Sequence, residues 1–140
     1  MSEIVAKGGS LVLGVGPTPQ GEIEPKSVAE LAEIGAWLRA NGEAIYATVP
    51  TPVYRNDDST MWFTGNKDGK TVYGIVPQRD GEAFPATISW KGNVPRKGSK
   101  IVQLSTRKAL KYKTVGDVTT VTLPKNANGS NGVAFKIVTK

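Results

Sequence analysis

The chain has 140 residues, 39% of them hydrophobic and 21% charged, which is the length of one ordinary domain with enough apolar side chain to bury a core. It contains no cysteine and no histidine, so disulfides, thiolate metal sites and imidazole chemistry are excluded. The formal net charge of +6 is uneven, because residues 1–70 hold six basic and nine acidic side chains and residues 71–140 hold twelve and three.

Ser2 to Ala6 read as the tail of a helix. The N-terminus lacks a basic start followed by an apolar core, so no signal peptide is expected there. No apolar stretch approaches the roughly 20 residues of a membrane span. Leu11, Val12, Leu13 and Val15 form a short apolar run without alternation, which suits a strand buried on both faces of a parallel sheet. Gly16-Pro17 ends that strand, and Thr18 to Gly21 fill the turn. Gly14-Val15-Gly16 is no nucleotide fingerprint, since Pro17 follows and no third glycine opens a helix.

A helix is predicted from Pro25, a residue tolerated at a first helical position because that N–H lacks a partner anyway. Val28, Leu31, Ile34 and Leu38 recur at helical spacing, and Asn41-Gly42 is expected to supply a left-handed stop. Trp37 lies off that stripe and is expected to help bury a junction with the rest of the chain. Strand and helix make one βα unit, yet the chain offers no second one. A parallel strand needs parallel neighbours, so Leu11 to Val15 left with free edges are a self-association hazard. Removing residues 1–24 is expected to improve solubility.

Two stretches of this unit carry a resemblance. KGGSLVLGVGPTPQGEI and AEIGAWLRANGEAIYAT resemble the last βα unit of the catalytic barrel in α-L-fucosidases of glycoside hydrolase family 29. The positions in register are Gly8-Gly9, Gly16-Pro17, Gly35, Trp37-Leu38 and the run Asn41-Gly42-Glu43-Ala44-Ile45-Tyr46. Ser10 and Gly14 stand where many relatives carry Asn, and Gln20 where they carry Asp. The remainder of the chain is similar to the family's C-terminal β-sandwich.

The resemblance implies a parent enzyme that removes terminal α-L-fucose from glycans with retention. Its Asp nucleophile and its Glu acid/base lie on the barrel, and neither motif has a matching position here. Gly16, Pro17 and Thr18, just past a barrel strand, would then lie in the mouth of the barrel near the parent active site and shape its rim. The implied partners are the rest of the catalytic barrel and a fucosylated glycan. The implied parent is secreted, periplasmic or lysosomal, and Met1 would cut into a larger protein.

After Tyr46, Pro50-Thr51-Pro52 with Arg55, Asn56, Asp57 and Asp58 reads as a polar linker over residues 50–58. Strands are expected at 61–64 and 71–76, flanking an Asp68-Gly69 turn. Phe84, Ala86, Ile88 and Trp90 alternate, with Pro85 marking a strand start or an edge. Further strands are expected at 100–104, 110–114, 118–123 and 133–138. Residues 126–132 read as a loop that holds a glycosylation triplet, Asn128-Gly129-Ser130. Between Lys91 and Lys113 lie eight basic residues and no acidic one. That run suits a polyanion, either nucleic acid or a sulfated glycan, or else a solvated sandwich face. No nucleic-acid motif accompanies it, so no nucleic-acid partner is assigned.

Retaining glycosidases need two carboxyl groups about 5 Å apart. Glu22 and Glu24 precede the helix, Glu30 and Glu33 flank it, and Glu43 follows it, each in a place with a structural use. No catalytic residue, metal ligand or cofactor is assigned. Trp62, Tyr73, Trp90 and Tyr112 lie on expected strands, either in the core or, for Trp62 and Trp90, exposed for stacking on sugar rings.

The expected fold is mainly β: an antiparallel β-sandwich over 59–140, a linker over 50–58, and over 1–49 one βα unit left over from a (β/α)₈ barrel. Two functions fit. One is the C-terminal part of an exo-α-L-fucosidase, supplying sandwich and barrel rim. The other is a free-standing carbohydrate-binding or interaction module.

Overall fold

Alternating apolar side chains build most of this molecule, a computed structural model that describes residues 1–124 and 131–139. The strands are β1 (Val49–Arg55), β2 (Trp62–Gly65), β3 (Thr71–Pro77), β4 (Thr87–Lys91), β5 (Ile101–Gln103), β6 (Ala109–Leu110), β7 (Tyr112–Val115), β8 (Val118–Thr122) and β9 (Gly132–Val138). Six of them form one sheet in the order β1-β2-β3-β9-β5-β6, and three form a second in the order β4-β8-β7. Every pairing between these strands is antiparallel. The protein is mainly β, with two sheets stacked as a sandwich.

The core between the sheets takes Phe63, Val72, Val76, Val133, Phe135 and Ile137 from one side and Ile88, Trp90 and Val121 from the other. Trp90 sits edge-on to Phe63, with ring centroids 5.7 Å apart, and lies 5.9 Å from the ring of Phe135. Gly74 makes room for them: a Cβ there would stand 2.7 Å from the Phe135 ring.

A second, smaller core lies on the opposite face of the large sheet. Tyr73, Ile75, Leu104 and Ala134 are buried there with Ala44, and Trp37 and Ile45 pack against them. Strand β3 is therefore covered on both faces, and its burial is continuous from Thr71 to Val76.

Two helices precede the sheets. Helix α1 (Ser2–Ala6) packs on β1 and β2, burying Ala6 completely, and the following Lys7 sets its ammonium 5.6 Å from the centre of the Trp62 ring. Helix α2 (Pro25–Asn41) opens with proline in its first turn, as its sequence predicts. Its end differs from expectation. Gly42 is right-handed (φ −59°), and the chain continues through a 3₁₀ turn, Gly42–Ala44, to a left-handed Ala47 (φ 56°). The physical need for glycine at 42 is space, because a Cβ would meet the Tyr46 ring at 2.8 Å.

Three further expectations are corrected. Leu11 to Val15 form no strand and are exposed, because no parallel neighbour among the described residues satisfies their backbone. Residues 50–58 are not a linker throughout, since Val49–Arg55 is β1, paired with β2 at Val49–Gly65, Pro50–Thr64 and Arg55–Trp62. Pro50 and Pro52 are tolerated because β1 is an edge strand. The strand expected at 110–114 is divided between the sheets, with β6 in one and β7 in the other. Lys111 lies at the crossing, where its carbonyl accepts a hydrogen bond from the Thr122 N–H at 2.8 Å.

The other strands fall within a few residues of expectation. The turn at Asp68-Gly69 closes with Gly69 N–H donating to the Asn66 carbonyl at 3.0 Å. Strand β4 is an edge of its sheet, in line with Pro85 ahead of it. The glycosylation triplet at 128–130 lies outside the described residues.

Candidate functional site

Just past the end of α2, the Glu43 carboxylate in the 3₁₀ turn meets the large sheet. Glu43 Oε1 accepts from Lys136 Nζ at 2.8 Å and from the Tyr73 hydroxyl at 3.1 Å, and Oε2 accepts from Arg107 Nη1 at 3.1 Å. Tyr73 comes from β3 and Lys136 from β9, adjacent across the sheet in register. Arg107 comes from the turn between β5 and β6. The Tyr73 hydroxyl also lies 3.2 Å from Asn66 Oδ1, so its single proton is shared between two acceptors.

This arrangement sets the protonation of both groups. The Lys136 hydrogen bond, reinforced by Arg107 and Tyr73 and opposed by partial burial, holds the Glu43 carboxyl below the usual range. Burial first, and then the neighbouring carboxylate, push the Tyr73 phenol up to about 12. Two more bonds fasten the same junction: Trp37 Nε1–H donates to the Gly132 carbonyl at 3.0 Å, and the Thr64 hydroxyl donates to the Ala44 carbonyl at 2.7 Å. The expected role of Trp37 at a junction is met. Chemically, Glu43 is an ionised acceptor with its oxygens occupied, and it pins the helix end to the sheet.

Gly16, Pro17 and Thr18 occupy a separate, outlying loop. Pro17 bridges Ile23 in antiparallel sense, and the Thr18 N–H donates to the Glu22 carbonyl at 2.7 Å. The Thr18 hydroxyl accepts from the Glu22 N–H at 3.2 Å. The loop holds itself by its own backbone, with Gly16 and Pro17 exposed and Thr18 partly so.

Trp62 and Trp90 offer no face to a sugar. Trp90 is 2% exposed between the sheets, and Trp62 is 7% exposed beneath α1. Their expected alternative, core packing, is what the fold realises. Asp58 accepts from the Thr60 hydroxyl at 2.6 Å and is held below its usual pKa chiefly by that bond, so it closes its own turn. No group of three or more Asp and Glu side chains among the described residues is placed to hold a metal ion. No described helix is long and apolar enough to cross a membrane.

Sequence reasoning placed Glu43 after the helix but missed its partners, which come from 30, 64 and 93 residues further along. Only its place in the Asn-Gly-Glu-Ala-Ile-Tyr run hinted at a constraint.

The family profile described as "Alpha-L-fucosidase" matches residues 1–43. Along 98% of its length the chain superposes on the α-fucosidase of Thermotoga maritima, with a TM-score of 0.75 and 27% identity. The chain matches the C-terminal portion of family 29 α-L-fucosidases. Bovine tissue α-L-fucosidase is 34% identical over 110 residues, 79% of this chain. An α-L-fucosidase of Branchiostoma floridae is 42% identical over 78 residues, 54% of this chain. The chain spans 22% and 17% of these two relatives and 32% of the solved Thermotoga chain.

Proposed function

We propose that this chain works as the C-terminal part of an exo-acting α-L-fucosidase that removes terminal α-L-fucose from glycans with retention. Its own share is the structural sandwich and part of the barrel rim, and the catalytic carboxylates come from the remainder of the barrel. The observation that carries this reading is the superposition of nearly the whole chain on one third of a solved fucosidase.

Residues 1–48 are assigned to the barrel and the residues from β1 onward to the sandwich. Three features support the division. Leu11, Val12, Leu13, Val15, Val28 and Ile34 are all exposed in the first part, which is the surface a surrounding barrel would cover. Gly16, Pro17 and Thr18 directly follow the apolar run, the position of a barrel's active-site mouth once that run is completed as a barrel strand in the whole enzyme. The acid of a retaining glycosidase needs a raised pKa to hold its proton, and Glu43 is shifted the other way.

The test is complementation. The chain by itself is expected to leave a chromogenic α-L-fucoside intact. Co-expressed with the Thermotoga fucosidase shortened by its matching C-terminal third, it is expected to restore turnover. Hydrolysis by the pure chain would overturn the assignment of the carboxylates elsewhere. Failure of both the chain and a covalently joined fusion to restore activity would overturn the enzyme reading.

A further inference from the structure

Basic side chains gather where the chain passes between the sheets, with Lys100 beside β5 of the 6-stranded sheet, Lys111 between β6 and β7, and Lys113 on β7 of the 3-stranded sheet. The pairing of Ile101 with Leu110 and Val102 with Ala109 ends one residue short of Lys100 and Lys111, which flank that pair in sequence. Ile101 and Leu110 point into the core, as does Tyr112, so the odd-numbered Lys111 and Lys113 point outward. The Tyr112 hydroxyl donates to the Ser99 carbonyl at 2.7 Å and ties the loop carrying Lys97 and Lys100 to this edge.

Beyond the lysines lies an open sheet face. Lys113 pairs with Thr120, and Ser89 with Thr120, so a row of hydroxyls continues the strip. Lys111, Lys113, Thr120 and Thr122 line one shallow groove of about 420 Å³ with Tyr112, Val115 and Val118. None of the ion pairs among the described residues reaches Lys100, Lys111 or Lys113. The nearby Asp117 is paired with Lys91 at 3.6 Å. The strip is thus a row of uncompensated cations beside hydroxyl donors.

We propose that the strip from Lys100 through Lys111 and Lys113 to Thr120 and Thr122 binds a sulfated polysaccharide. The charge is complementary, and lysines two apart in extended chain stand about 7 Å from one another, a spacing that separate sulfate groups on a chain can meet. Nucleic acid fits less well. Tyr112, the aromatic residue that lines the groove, packs against the core and ties its hydroxyl to the Ser99 carbonyl, so its ring is not free for a base to stack on. This face also projects no helix or ribbon into a duplex groove. The site is remote in kind from the fucosidase reading and needs no catalysis.

The full chain should be titrated with fluorescently labelled heparin, fully desulfated heparin and a DNA duplex of equal length at physiological salt. Heparin binding that weakens with added salt is expected, with desulfated heparin and DNA at least roughly tenfold weaker. Lys100→Gln/Lys111→Gln/Lys113→Gln should lower heparin affinity roughly ten- to a hundredfold, while the corresponding triple Arg variant retains it. A control, Lys26→Gln/Lys67→Gln/Lys70→Gln, should bind like the parent. Equal affinity for DNA or for desulfated heparin would overturn the proposal. So would a triple Gln variant that aggregates yet binds heparin unchanged, because the lysines would then only guard a sheet edge. If the Gln triple fails to fold, single Lys→Gln variants carry the test, and no loss of affinity in any of them overturns the proposal.

Discussion

Glu43 is the residue on which the helix–sheet junction turns. Its folded pKa lies below the usual range, so its contribution to stability is complete above the ordinary glutamate range. That contribution is lost as pH falls through the folded value. Glu43→Gln should therefore melt below the parent at neutral pH, by an amount that shrinks as the solution is acidified. Melting curves between pH 7 and pH 3, run at low and high salt, check this, and a constant difference would contradict it. Tyr73 works at the other end of the scale. With its phenol raised to about 12, its share of stability is present below about pH 10 and lost as the pH climbs to 12. Tyr73→Phe should blunt that alkaline loss. Gly74 tests the core in the same way: Gly74→Ala drives a methyl into the Phe135 ring and should cost about 1–3 kcal/mol in denaturant unfolding.

At the scale of elements, α2 is held at one end only. Asn41 is its sole buried residue, and its link to the sheet runs through Trp37, whose indole N–H reaches the Gly132 carbonyl. Trp37→Phe keeps most of the ring but loses that bond, and should cost about 1 kcal/mol. Faster hydrogen exchange confined to 25–41 would show that the loss loosens the helix and spares the sandwich. The apolar run before it behaves differently. Leu11 and Val12 are 46% and 92% exposed, so Leu11→Ser/Leu13→Ser should suppress self-association in light scattering without lowering the melting temperature. A drop in melting temperature would mean that these side chains pack on the sandwich.

For the whole molecule, the first 24 residues do two opposed things. The exposed run at 11–15 is expected to favour association, while α1 buries Ala6 against β1 and β2 and shelters Trp62. Deleting 1–24 removes the hazard and also uncovers Trp62. The substitution pair is therefore expected to yield a more soluble protein than the truncation, as read by static light scattering at equal concentration. The sandwich is closed by two cores on either face of the large sheet, so the parts from β1 onward depend on one another more than on the loop at 10–24.

Local signals in the chain were enough for much of this. The period-2 alternation at Ile88 and Trp90, the Asp68-Gly69 turn and Pro25 at a helix start each reflect preferences acting within a few residues, so they were legible before any contact was known. The family was legible too, because its motifs lie in two unbroken stretches. What only the tertiary fold decided depends on partners distant in sequence. Val49–Arg55 became a strand despite two prolines because β2 offered it an edge, and Leu11–Val15 failed to become one because no neighbour among the described residues pairs with it. The Glu43 cluster, the burial of Trp62 and the division of β6 from β7 follow the same rule. A strand or a buried charge exists only when another part of the chain completes its hydrogen bonds, and no local pattern records which part that is.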